Sequence, residues 1–202
     1  SETYRQTPSF TGEYFALRKP RRLTAEQLRD ALLAVSGLLT SKADGPPIWP
    51  ELPAEVLDSN PAFLDDNPEK TKGWYPSAPN EQAARSVFLV QKRNTRIPLL
   101  EAFDLPENSV TCARRDESTV APQALMLLNG SLTAEAARAL AMRVTTAAGQ
   151  DSTAQIQALY ALTLQRQPSQ AELQAVEEFL SVYGLTQLCR AMLNINEFIY
   201  ID

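Results

Sequence analysis

SVFLVQKRNTRIPLLEAFDLPENSVTCARRDESTVAPQALMLLN, residues 86–129, is the stretch whose reading decides the fold class. Val87, Phe88, Leu89 and Val90 follow one another, and a continuous apolar run of this length predicts a short strand over Ser86 to Gln91, buried on both faces. Lys92-Arg93-Asn94 then turns the chain into a short helix, Ile97 to Phe103, begun near Pro98. Asp104-Leu105-Pro106-Glu107-Asn108 has turn composition. Thr119 with Pro122 starts a second helix that runs through Leu128, with Thr119 or Val120 lying just outside it. One strand among helices leaves little material for a sheet.

Working outward, everything after residue 131 has helical punctuation. Thr133 to Ala148 stops at Gly149, and Asp151 to Arg166 stops before Pro168. Ser169 to Tyr183 opens with a Ser169-x-x-Glu172 capping box and ends at Gly184, and Leu185 to Asn194 follows. Linkers this short suit antiparallel neighbours. Upstream, Thr24 to Leu39 places Leu28, Ala31, Leu32, Val35 and Leu39 on one face, with Thr24 and Gln27 as a capping box and Gly37 weakening the last turn. Residues 41–85 hold 8 of the 14 prolines and both tryptophans, so they form neither one helix nor a central strand. Residues 1–20 read as an extended lead-in. The expectation is a mainly α fold: an antiparallel helix bundle with a long Pro-rich loop and at most a small β element. Residues 1–202 form one domain, with 41–85 as a long Pro/Trp-containing loop and 131–202 as a helical subdomain.

The 202 residues carry a net charge of −5, which supplies no basic field for a nucleic-acid backbone. No apolar run reaches the ~18 residues of a membrane span. The chain contains no histidine. Ser-His-Asp and Cys-His catalysis, His-ligated metals and CxxCH haem attachment are therefore excluded from it, and two cysteines 77 positions apart make no zinc knuckle. A bridge between Cys112 and Cys189 would stabilise by about 4 kcal/mol on the chain-entropy account, but Cys189 lies on an apolar helical stripe where a buried thiol is equally natural.

Three features could bind. Arg114 and Arg115, just before a helix, could cradle an anion between their guanidinium forks and free N–H groups, or could pair internally with Asp104, Asp116 or Glu117. Trp49 and Trp74 could stack on sugar rings, or could pin their loop to the core. Carboxylates such as Asp30, Asp104, Asp116 and Glu117 could serve as an acid–base pair, although no spacing singles them out.

The succession RRLTAEQLRDALLAVSG (21–37), SVFLVQKRNTRIPLLEAFDLPENSVTCARRDESTVAPQALMLLN (86–129) and AMLNINEFIYID (191–202) resembles a bacterial domain of unknown function. That domain is abundant in planctomycetes, where it ends large exported proteins that often begin with a cytochrome c domain. The resemblance covers nearly the whole chain. It implies weight on Arg29, Asp30, Arg93, Asn94, Asp104, Arg115, Thr119, Gln123, Asn129, Asn194, Asn196 and Glu197, and a native segment upstream of SETYRQ. It also implies an extracytoplasmic setting and a neighbourhood of sulfatases and polysaccharide-degrading enzymes. Any haem would sit in another domain of the parent protein.

Two functional readings follow. The first is a non-catalytic binding or docking module in polysaccharide processing, whose ligand residues are Arg93, Asn94, Arg114, Arg115, Thr119, Gln123, Trp49 and Trp74. Its partners would be other domains of the parent protein and acidic or sulfated polysaccharide, with no metal or cofactor in this chain. The second is a carbohydrate-active enzyme domain working through paired carboxylates.

Overall fold

The structure is a computed structural model that describes residues 20–41, 44–59, 73–93, 95–107 and 111–201. The fold is mainly α, as its punctuation predicts. A two-residue strand β1 (Arg21–Arg22) precedes α1 (Ala25–Ser36), α2 (Ala54–Asp58) and α3 (Pro79–Gln82). A 3-10 turn over Ser86–Phe88 leads to α4 (Pro98–Ala102) and α5 (Ala121–Asn129). Then come α6 (Ser131–Ala148), α7 (Ser152–Leu164), α8 (Gln170–Tyr183), α9 (Leu185–Met192), α10 (Asn196–Ile199) and the strand β2 (Tyr200–Ile201). The chain divides into two compact units. One comprises residues 1–24 and 127–202, the other residues 25–126, and one of the two boundaries falls inside α5.

The first unit is the helical bundle. α6 packs on α7 and α9, α8 packs on α7 and α9, and α10 packs on α7. Its core is drawn from Leu140 and Val144 of α6, Ile156 and Leu159 of α7, and Leu188, Cys189 and Leu193 at α9. The capping box of α8 is complete: the Ser169 hydroxyl accepts from the Glu172 N–H, and the Glu172 carboxylate accepts from the Ser169 N–H. Asp151 caps α7 by accepting from the Thr153 N–H at 3.1 Å. Gly149 and Gly184 end α6 and α8 at φ 67° and 80°, a region where a side chain would be strained. The antiparallel pair β1–β2 sets Arg21 against Ile201 and Arg22 against Tyr200. The adjacent Leu23 N–H adds a bond to the Ile199 carbonyl.

The second unit is organised by α1, whose Leu28, Leu32 and Leu33 are buried and which packs on α4 and on the 3-10 turn. Each such leucine contributes about 1.5–3 kcal/mol on burial. α1 is shorter than expected, because Gly37 takes a positive φ and lets the N–H groups of Leu38 and Leu39 both close back on the Leu33 carbonyl. The predicted strand at Ser86 to Gln91 is also corrected. Val87 is 73 % exposed, and the segment makes one isolated parallel bridge, Leu89 with Ile48. Among the described residues its backbone pairs across with one residue only, Ile48, whose N–H donates to the Phe88 carbonyl and whose carbonyl accepts from the Val90 N–H, while side chains of α1 hold the start of the segment. Asp30 accepts from both the N–H and the hydroxyl of Ser86, each at 2.7 Å. Arg29 donates to the carbonyls of Gln82 and Ala84 at 2.6 and 2.8 Å. Both cysteines are free thiols, Cys112 exposed and Cys189 buried.

Candidate functional site

The candidate ligand residues that are described fall into two neighbourhoods of the second unit. The first is built on the turn after α4. Phe103 is buried and seats that turn, and Asp104 follows it at φ 60°, a left-handed conformation that aspartate tolerates better than most residues. The Asp104 carboxylate accepts from the Ser118 N–H at 2.8 Å and from the Ser118 hydroxyl at 2.9 Å. Gln123, 6 % exposed, completes the clasp: its amide donates to the Ala102 and Ser118 carbonyls, and its oxygen accepts from the Val120 N–H.

Arg115 is held here as well. Its two terminal nitrogens donate to Glu26 of α1 at 2.7 and 3.0 Å, so the fork expected to face an anion, or Asp104, Asp116 or Glu117, is filled by Glu26. The hydrogen bond to Glu26 holds its pKa above the usual arginine value. Arg114 is exposed, and its guanidinium makes no hydrogen bond or ion pair among the described residues. The Arg114 carbonyl accepts from the Cys112 thiol. Thr119 is exposed, two residues ahead of α5.

The second neighbourhood joins the Trp-bearing segment to the turn at 92–95. Trp74 is buried and donates its indole N–H to the Pro50 carbonyl at 2.7 Å. Trp49 meets Trp74 and Tyr75 edge to face, with ring centroids 5.1 and 5.8 Å apart. The Lys92 ammonium lies 5.0 Å from the Trp49 ring and donates to the Gly73 carbonyl at 2.8 Å. Desolvation lowers the Lys92 pKa.

Beside it opens a depression of about 100 Å³ whose lining includes Val90, Lys92, Arg93, Arg96, Ile97 and Glu107. Arg96 reaches Glu107 at 2.9 Å. Arg93 is exposed, and among the described residues its guanidinium has no partner. Asn94 lies outside the described residues.

Many of the other implied positions hold backbone. Arg29 and Asp30 fix 82–86, as described. In the helical bundle Glu197 shares Arg166 with Glu172: the guanidinium donates to both carboxylates and holds the Glu172 pKa at about 2. Arg190 donates to the Leu128 carbonyl, and the buried Asn194 carbonyl oxygen has no partner among the described residues. No group of three metal-ligating side chains occurs among the described residues. No helix among them is long and apolar enough to cross a membrane.

Arg96 and Glu107, which pair with each other in the lining of the depression, carried no functional weight in the sequence. Only the bunching of Lys92, Arg93 and Arg96 hinted at them. The model of a family described as PSD1, protein of unknown function (DUF1553), matches residues 1–180. No curated protein and no solved structure matches the chain.

Proposed function

Because the chain belongs to the PSD1 family of proteins of unknown function (DUF1553), a name that carries no reaction, we propose its role from the site: a non-catalytic module that binds an acidic ligand at the Arg93 depression. The observation that carries this reading is Arg93. It is a guanidinium with no partner among the described residues, on the rim of a polar hollow, while Arg115 is consumed by Glu26. The candidate catalytic carboxylates support binding over hydrolysis by their engagements: Asp104 is spent on Ser118, and Asp30 on Ser86 and Arg85. The ligand we favour is an acidic or sulfated polysaccharide. The setting we favour is extracytoplasmic, in an exported parent protein of planctomycete type linked to cytochrome c and to polysaccharide processing. That setting rests on the resemblance alone. Haem, where the parent has it, belongs to another domain, since a CxxCH attachment needs a histidine that this chain lacks.

The test is a titration of the full chain with dextran sulfate, polygalacturonate and neutral dextran, followed by tryptophan emission. Trp49 lies against Lys92, which lines the depression, and Trp74 packs on Trp49. The expected result is a saturable shift with the anionic chains, weakened by salt, and a loss of about tenfold or more in affinity in Arg93→Ala, as a charge-assisted hydrogen bond implies. Equal response to neutral dextran, or unchanged affinity in Arg93→Ala, would refute it.

A further inference from the structure

Asn129 and Gly130 form the only Asn-Gly pair in the sequence, and they sit where α5 gives way to α6. Asn129 is the last residue of α5 and is exposed to water. Gly130 is the single residue between the two helices, extended at φ −65° and ψ 139°. Its carbonyl accepts the first hydrogen bond of α6, from the Ala134 N–H. No side-chain hydrogen bond caps α6, so its N-terminus keeps the partial positive charge of its peptide dipoles. Arg190 of α9 reaches the same corner: one terminal nitrogen donates to the Leu128 carbonyl and stands 3.5 Å from Asn129 Oδ1. Both features favour negative charge on a side chain that carries none.

We propose that Asn129 is a modification site, at which the chain turns its own side-chain amide into a carboxylate by deamidation, with water as the co-reactant. The Gly130 backbone nitrogen, having lost its proton to solvent base, attacks Asn129 Cγ. An N–Cγ bond forms, and the carbonyl π electrons pass to Oδ1. Arg190 meets that growing charge, because its guanidinium already faces the oxygen on which the charge develops. Collapse returns the electrons, breaks the Cγ–Nδ2 bond and releases ammonia, which takes its proton from water. Water then opens the five-membered imide at either carbonyl and leaves aspartate or isoaspartate. Glycine suits the attack, since no Cβ hinders the turn its nitrogen must make. Each product places a carboxylate beside Arg190 and ahead of α6. The aspartate completes a charge-assisted hydrogen bond and complements the helix dipole. The isoaspartate adds a carbon to the backbone of the link, and so shifts the Gly130 carbonyl on which α6 starts. The junction thus records the age of the molecule as a charge.

The experiment ages the full chain at mildly alkaline pH, native and in urea, and follows the tryptic peptide Asp116–Arg138 by mass spectrometry. That peptide holds no other asparagine, and fragment ions separate Asn129 from Gln123. The wild type, Gly130→Ala and Arg190→Gln are compared, with circular dichroism to confirm that each is folded. Alanine fits φ −65° without strain, so Gly130→Ala keeps the link and hinders only the attack. The native wild type is expected to accumulate acid at position 129, and Gly130→Ala to do so more slowly. Arg190→Gln should convert about two- to fivefold more slowly than the wild type when native, the worth of one exposed charge contact, and at the same rate in urea. Asn129→Asp, a direct copy of one product, should raise the thermal midpoint of the helical bundle by about 2–4 °C, a gain lost in Asn129→Asp/Arg190→Gln. Conversion confined to the unfolded chain, or equal native rates in the wild type and Arg190→Gln, overturns the proposal. A midpoint in Asn129→Asp at or below that of the wild type overturns the claim that Arg190 and α6 favour the product.

Discussion

Replacing Arg29 by alanine should cost the second unit about 3–5 kcal/mol, the range for removing one partner from a buried charged network. Arg29 is 5 % exposed, and its terminal nitrogens serve the Ala84 and Gln82 carbonyls and the Ser86 hydroxyl. Burial lowers its pKa, with only Asp30 opposing that effect, so the charge is tolerated through these acceptors. Truncation leaves two buried or half-buried carbonyls without a donor, at about 1–3 kcal/mol each, and opens a cavity where the aliphatic stem lay. Arg29→Met separates the two costs, because it keeps most of the stem and removes the head. It should lose about 2–4 kcal/mol. Urea denaturation followed by tryptophan emission is the assay, since Trp49 and Trp74 both belong to the second unit and report its unfolding alone. With m near ~1–1.5 kcal/mol/M for a unit of this size, the midpoint should fall by about 2 M or more in Arg29→Ala. A shift under about 1 kcal/mol in Arg29→Ala, or a wild-type midpoint in Arg29→Met, would refute the claim that this guanidinium holds residues 82–86 in place.

Four further outcomes are expected. The Glu172 carboxyl has a folded pKa near 2 against 4.5 for the free group, so its stabilisation is complete above pH 4.5 and lost as the pH falls toward 2. Its side chain is 35 % exposed, so solvent screening reduces the effect to about 1 kcal/mol, and Glu172→Gln should flatten the acid limb of the helical bundle's stability measured by circular dichroism. Asp104→Ala should destabilise the second unit by about 2–3 kcal/mol, losing the Ser118 clasp and straining φ 60°, whereas Asp104→Asn should lose about half of that in the same urea assay. A double-mutant cycle on Glu26 and Arg115 should give a coupling of about 0.5–1 kcal/mol that shrinks with salt, given side chains 24 % and 47 % exposed. In the native protein a maleimide should label Cys112 rapidly and Cys189 only through unfolding, since burial pushes the Cys189 thiol up to about 12. Mass spectrometry of the labelled peptides checks this.

The helices of residues 131–201 were legible because their ends are written locally. Ser169 with Glu172, Asp151, Gly149 and Gly184 each act within a turn of their own position. The apolar face of α1 was legible for the same reason of short period. The strand expected at Ser86 to Gln91 failed because its fate depends on distant residues: Asp30 takes the Ser86 N–H, and among the described residues Ile48 alone offers backbone, to Phe88 and Val90. The anion cradle was read from Arg114 and Arg115 alone, while the partner of Arg115 is Glu26, 89 positions earlier. Charged residues carry no period, so nothing local says whether a guanidinium faces a carboxylate or solvent. The same gap hid Arg96 and Glu107.

The pairing of Arg22 with Tyr200 also fixes an order of events during synthesis. The bundle unit is assembled from both sides of the other unit, so β1 leaves the ribosome long before β2, its partner. Residues 25–126 emerge whole in between and can condense first, with α1 already beside α4. The bundle must wait for α10 and the last strand, and until then Leu23 and Arg22 have no backbone to join. A ribosome stalled before residue 196 should therefore display a folded second unit and an unclosed bundle, a state that limited proteolysis of the nascent chain would reveal.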